Sequence, residues 1–234
     1  GIHFGHFKVG ALHEGIGKFD AMMVSIPYQT GHSPQLWQTG VNAMLLKMPG
    51  DFCIHKLRAI LLYEVDFNQN NKKIGRDMMY FAEDLHNIAQ EQYGSHKNHT
   101  AINHGLNKQL TFDILRLKKQ AGALCTNDAK ACYNCIVHSI TNLTMQSHRV
   151  PAGLIVCMFT MIQNLKHYVW TIYGDSSLNF GGTLWMTLIQ GVGQGNGAGP
   201  QIWAVISTAI LNMMQAKGHK CFFRSAVSGA EVSF

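Results

Sequence analysis

The run IQGVGQGNGAGPQIW, Ile189 to Trp203, decides how this chain is read. Gly191, Gly193, Gly195, Gly197 and Gly199 alternate along it, and Pro200 stands just inside an apolar helical stretch. Glycine lets backbone come close to a neighbour and take positive φ, and proline suits a first helical turn. The segment therefore predicts a strand-to-helix joint. It has no Gly-Lys-Ser/Thr and no strict GxGxxG spacing, so it is neither of the common phosphate loops. Two readings stay open: a flexible hairpin, or a loop contacting a ligand, with Gln194 and Asn196 adding hydrogen-bonding capacity.

The next decisive stretch lies upstream, CTNDAKACY, Cys125 to Tyr133. A short apolar strand, Ala123 to Thr126, leads to Asp128, and an aromatic follows five residues later. Beyond it the only carboxylates are Asp175 and Glu231. An acid between apolar segments is costly to bury without a partner; a metal is one partner, and capping the following helix is the other explanation.

Working outward, Val41 to Leu46 and Leu57 to Tyr63 predict strands around the turn Pro49-Gly50-Asp51, with a further turn at Thr30 to Pro34. A polar helix is expected over Asn68 to Ala82. Ile102, Leu106, Leu110, Ile114 and Leu117 predict another, ending in Lys118-Lys119. After Asp128 come a helix bearing Ile136, Ile140 and Leu143, and one from Pro151 to about Tyr168. Then follow a hairpin of Val169–Gly174 with Leu184–Gln190, a helix from Gly199 to about Gln215, and a strand from Cys221 to Ala226. Tyr173-Gly174-Asp175-Ser176 reads as a turn rather than a second catalytic acid. The sum is α+β with an antiparallel sheet packed by helices.

The 234 residues suffice for one large domain or two small ones, and net charge +6 leans toward an anionic partner without requiring one. No apolar run reaches the ~18–20 residues of a membrane span. The first residue is Gly1 and the last, Phe234, falls inside an apparent strand opening at Glu231, so a piece of a longer protein is expected. The six cysteines read as reduced core thiols. Cys132, Cys135 and His138 offer soft ligands, but at 100° per helical residue Cys132 and His138 diverge. The pairs His3/His6 and His96/His99 lack the glutamate of HExxH and read as surface or loop histidines.

Together these segments resemble a reverse transcriptase of the kind encoded by non-long-terminal-repeat retroelements, over most of the chain. WQTGVNAMLLK (Trp37 to Lys47) is similar to the early fingers motif. HKLRAILLYEVDFNQNNKKIGR (His55 to Arg76) resembles the "RPI" motif, with Arg58 at its arginine, and EQYGSHKNHTAI (Glu91 to Ile102) resembles the Q-x-G-F-R segment. TNDAKACY resembles motif A, and QGNGAGP (Gln194 to Pro200) keeps the Q-G…P frame of motif B. The chain departs from the family at Ala59, at Asn134-Cys135 and at His96, each of the last three a one-base change from the usual residue. The paired aspartates of motif C would follow Phe234, in a turn beside the strand that ends at Asp128.

The resemblance implies right-hand polymerase fingers with their connection to the palm over residues 1–120, and an incomplete palm over 121–234. It implies an RNA-directed DNA polymerase, a nucleotidyltransferase joining deoxynucleoside triphosphates on an RNA/DNA template-primer. Two Mg²⁺ (or Mn²⁺) ions about 3.5–4 Å apart would serve the reaction in the intact protein. Asp128 would bind the metals, with the Ala129 carbonyl as a further ligand, and Tyr133 would screen the sugar. Gln194 and Gly195 would meet nucleotide and template, and Lys47 and Arg58 would neutralise triphosphate charge. Without motif C the 234 residues are expected to be inactive alone. The expected setting is intracellular, nuclear for a eukaryotic retroelement, with no membrane. The rivals are a non-catalytic nucleic-acid-binding module from a degenerate copy and a metal-binding protein built on Cys132, Cys135 and His138.

Overall fold

Two turn-bounded apolar stretches form the centre of the sheet. The structure, a computed structural model, describes residues 4–123, 128–182, 189–219, 222–224, 229 and 231–233. Strand β1 (Thr39–Leu46) pairs antiparallel with β2 (Leu57–Leu62), Val41 opposite Leu62 and Leu46 opposite Leu57, where strands are expected either side of the Pro49-Gly50-Asp51 turn.

On the other edge of β1 lies β3 (Lys166–Thr171), and this pairing is parallel, with Gly40 beside His167. β3 also pairs antiparallel with two short strands, β4 (Gly174–Asp175) and β5 (Phe180–Gly181). The sheet is therefore mixed, in the order β2-β1-β3-β4 with β5 also on β3, which corrects the all-antiparallel expectation. The cause is the connection: four helices separate β2 from β3 and return the chain to the same end of the sheet, as a parallel pair requires.

The expected hairpin is also corrected. β3 turns at Ile172–Tyr173, and Gly174 at φ 106 lets the chain reverse at once, so its described partners are β4 and β5. Most of the segment expected to pair there, Leu184 to Gln190, lies outside the described residues, as does the stretch 124–127 expected to end at Asp128. At the C-terminal end β6 (Phe222–Arg224) pairs with β7 (Glu231–Ser233) in a separate two-stranded sheet. Phe234 lies outside the described residues.

Seven α-helices stand among the described residues: α1 (Phe4–Leu12), α2 (Glu14–Thr30), α3 (Val65–Asp84), α4 (Ala101–Leu117), α5 (His138–Ser147), α6 (Ala152–Gln163) and α7 (Gly199–Ala216). α1 and α2 are additions to the sequence reading. α6 stops at Gln163, short of Tyr168, because Lys166–Thr171 goes into the sheet. None of these helices is long and apolar enough to cross a membrane. The Thr100 hydroxyl caps α4 by accepting from the Asn103 N–H at 3.2 Å, yet no residue of α4 is buried.

One core draws on both sides of position 120: Phe67 and Met78 from α3, Met145 from α5, Ile155 and Met158 from α6, and Ile202 from α7. Its aromatic spine runs Tyr28–Trp37–Phe67–Tyr63 with centroid spacings of 5.8, 5.7 and 5.5 Å. Tyr28 donates to the Asn71 Oδ1 at 3.2 Å beneath it. Phe67 is wholly sealed from solvent and joins α2, α3 and β2 through this spine. Phe67→Ala should cost about 3–5 kcal/mol in a urea unfolding experiment; a loss below about 1 kcal/mol would mean that the spine does not hold the helices to the sheet.

Candidate functional site

The glycine-rich segment is fastened by hydrogen bonds from four directions. From β2, Leu61 N–H donates to the Gln194 carbonyl at 2.7 Å. The Tyr63 hydroxyl, buried and pushed above the usual phenol range by desolvation, donates to the Val192 carbonyl at 2.7 Å. From α3, Asn68 Nδ2 donates to the Gly195 carbonyl at 3.0 Å while its Oδ1 accepts from Gly197 N–H at 2.6 Å. From the segment after Asp128, the Tyr133 carbonyl accepts from Val192 N–H and the Ile136 carbonyl from Gly191 N–H, both at 2.9 Å.

The fourth anchor is His138. Its Nε2–H donates to the Gly191 carbonyl at 2.6 Å, and its Nδ1 accepts from Gln163 Nε2, also at 2.6 Å. Gln163 Nε2 in turn donates to the Ile189 carbonyl at 2.6 Å, which fixes the amide orientation and hence the imidazole tautomer. Beyond the loop the buried Asn196 accepts from Ala198 N–H at 2.9 Å, and α7 begins with Pro200 in its first turn. Gly195 sits at φ 132, and a Cβ there would collide with the Leu61 carbonyl oxygen. The loop is a fitted joint and not a flexible hairpin.

Beneath it opens a cavity of about 440 Å³, lined by Asn42, Leu61, His167, Phe180, Gln190 and Gln194 among others. Asn42 Nδ2 donates to the Tyr168 carbonyl at 3.0 Å and lies 3.3 Å from His167 Nδ1. Nδ1 therefore accepts, and the ring proton sits on Nε2, which is buried with no partner among the described residues. Phe180 stacks on the imidazole at 4.9 Å and 12°. His167 thus stands in the cavity wall among the carboxamides of Asn42, Asn134, Gln190 and Gln194.

The sequence-selected residues fall in different places. Gln194 lines the cavity, and Gly195 lies at the loop's exposed turn against β2. Tyr133 is half-buried, its phenol raised by burial and then by Cys132, and its ring lies against Gly199 at the start of α7. Asp128 and Ala129 are exposed just ahead of a 3₁₀ turn, Cys132–Cys135. Asp128 caps no helix, because the cap positions of that turn and of α5 are Ala131 and Val137. Arg58 alternates with Ala59 and Leu61, which face the loop cavity, so it stands on the opposite face of β2. Lys47 follows β1 and is exposed. His167, Asn42 and Phe180 were not selected from the sequence.

Among the described residues no three His, Cys, Asp or Glu side chains gather to hold a metal ion. His138 spends one ring nitrogen on the loop's Gly191 carbonyl and the other on Gln163 of α6, and Cys135 is exposed, its Sγ 3.7 Å from the Lys130 carbonyl. Of the described cysteines only Cys157 is buried, its thiol pushed up to about 11, so the core-thiol expectation is corrected for Cys53 and Cys135, which are exposed. Comparison with protein-family models and with curated proteins finds no match for this chain.

Gly195→Ala should lower stability by more than about 3 kcal/mol, because it adds a backbone collision to a forbidden φ. Gly50 has φ 82 and open space around its Cα, so Gly50→Ala is the control and should cost only about 1–2 kcal/mol. Equal losses in urea unfolding would mean that the fit against Leu61 is dispensable.

Burial holds His138 and His167 below the usual imidazole range, with the Gly191 carbonyl partly offsetting this at His138. The folded state then binds fewer protons than the unfolded one. Stability from these rings is complete above about pH 6.5 and is lost as pH falls through that value toward the lowered ones. The urea midpoint should drop between about pH 7.5 and pH 5.5, and the double variant His138→Gln, His167→Gln should drop less. A drop of the same size in both proteins would assign the acid sensitivity elsewhere.

Proposed function

We propose that this chain is the fingers and part of the palm of an RNA-directed DNA polymerase, binding an RNA/DNA template-primer and meeting deoxynucleoside triphosphates at the glycine-loop cavity. One observation carries this reading. Three of the five segments that resemble reverse-transcriptase motifs, His55–Arg76, the TNDAKACY run and the glycine-rich run at Gln194, far apart in sequence, meet at one hydrogen-bonded joint: Leu61 to Gln194 at 2.7 Å, and Val192, two residues before Gln194, to Tyr133 at 2.9 Å.

In this reading Gln194 and the Gly195 backbone face nucleotide and template, and Tyr133, packed beside the start of α7, borders the sugar. Lys47 and Arg58 belong to the β1–β2 hairpin, and Arg58 faces away from the cavity, so its charge serves nucleic-acid backbone rather than a bound triphosphate. The Mg²⁺ or Mn²⁺ ions implied by the resemblance would supply charge stabilisation at a reacting phosphate. Asp128 contributes one exposed carboxylate, and among the described residues no three His, Cys, Asp or Glu side chains gather to hold a metal, so they do not by themselves fit a metal pair.

Fluorescence anisotropy with a labelled RNA–DNA hybrid tests the reading. Binding should weaken steeply with salt, and Lys47→Ala and Arg58→Ala should each reduce the log–log slope by roughly one. Asp128→Asn should leave affinity unchanged, because backbone neutralisation dominates affinity. Absence of binding at low salt, or a slope indifferent to both basic residues, would remove the polymerase reading.

A further inference from the structure

The lining of the glycine-loop cavity discriminates among ligands. Its described residues include no Lys, Arg, Asp or Glu. The accessible polar groups are carboxamides: Asn134 and Gln190 are exposed, and Gln194 is half-buried. None of these three side chains has a hydrogen-bond partner among the described residues. Each offers a donor beside an acceptor, so a ligand that makes both bonds replaces the water it displaces. Gln194 is the best placed, because the Leu61 N–H pins its backbone at 2.7 Å and leaves only side-chain rotamers to order on binding.

The aromatic element is Phe180 of β5. One face of its ring stacks on His167 at 4.9 Å and 12°. The residue is nonetheless 56% exposed, so its other face is open to a second flat ring. The volume, about 440 Å³, falls within the range of small-ligand sites. A carboxamide complements the exocyclic amino group and adjacent ring nitrogen of adenine, one a donor and the other an acceptor. Guanine presents two acceptors on the same edge and is matched by arginine or lysine, which the described lining lacks. A phosphate finds no cation there either.

We propose that the glycine-loop cavity is a base site for adenine, which stacks on the open face of Phe180 and lays its amino edge against the Gln194 carboxamide, with the sugar and any phosphate left outside. The proposal rests on the polymerase reading for the source of the ligand, and it specifies which part of a nucleotide enters.

Three probes test it by isothermal titration without divalent metal: adenosine, purine riboside, which lacks only the amino group, and ATP. The titrations are run in about 0.15 M salt, where long-range attraction to the net charge of +6 is screened. Adenosine should bind about fivefold tighter than purine riboside, the weight of one net hydrogen bond, and ATP no tighter than adenosine. Gln194→Met should remove the advantage over purine riboside, and Phe180→Ala should weaken adenosine about fivefold or more, the weight of a lost stack. Absence of adenosine binding, equal affinities for adenosine and purine riboside, or ATP tighter than adenosine would each overturn the proposal. These three titrations use the unmodified protein and decide the question even where a variant fails to fold. Adenosine binding without binding of the labelled RNA–DNA hybrid would strike the polymerase reading and leave the base site standing; hybrid binding without adenosine binding would do the reverse.

Discussion

The close approach of Gly195 to the Leu61 carbonyl is the constraint on which the rest of the architecture turns. Strand β2 has its sheet partner β1 on one edge. At Leu61 it also donates its N–H to the Gln194 carbonyl, which ties the loop's backbone to the strand. Only a residue without Cβ allows that contact. Once the loop is seated, Gly197 reaches Asn68 on α3, Val192 reaches Tyr133, and α7 is launched across α3 with Ala198 against Gly75. A single backbone-to-backbone fit thus sets the relation of β2, α3, the post-Asp128 segment and α7.

The parts of the fold legible in the sequence were those whose periodicity was complete within one segment. β1 and β2 are short apolar runs on either side of a strong turn, and α3, α4 and α7 carry helical spacing with recognisable ends. What escaped was decided by partners distant in sequence. Whether β3 lies parallel or antiparallel depends on which end of β1 the intervening helices return to, and no local pattern encodes that. α2 does space Ile16, Phe19, Met23 and Ile26 helically, but Gly15, Gly17 and the internal Pro27 mask the signal. Pro27 is nonetheless buried within the helix.

The candidate site divides the same way. Gln194 was legible because its glycine neighbours announce a fitted loop. His167 was not, because its significance is an orphaned Nε2–H, and that follows only from Asn42 occupying Nδ1 across the β1–β3 pair. His138 carried a misleading signal. Beside Cys132 and Cys135 it looks like part of a ligand set, yet its two nitrogens go to Gln163 and to Gly191. At Arg58 the motif suggests a charge-neutralising role, and strand alternation sets the residue on the face of β2 opposite the cavity-lining Ala59 and Leu61.

Hydrogen-bond direction also bears on why His167, in the wall of the cavity beneath the loop, and His138, at the loop's anchor, stay uncharged. Protonating His138 at Nδ1 would set a ring N–H against the Gln163 amide N–H₂, and Gln163 cannot reverse without surrendering the Ile189 carbonyl. Protonating His167 at Nδ1 would set it against the Asn42 N–H₂, which the Tyr168 carbonyl holds in place. Neutrality is therefore built in by hydrogen-bond direction as well as by desolvation. The cations Lys47 and Arg58 stay outside, on the β1–β2 hairpin, where high dielectric makes their charge cheap to maintain. The cavity therefore suits flat, uncharged, hydrogen-bonding groups, because a phosphate there would meet a neutral imidazole and carboxamides with no cation among the described lining residues.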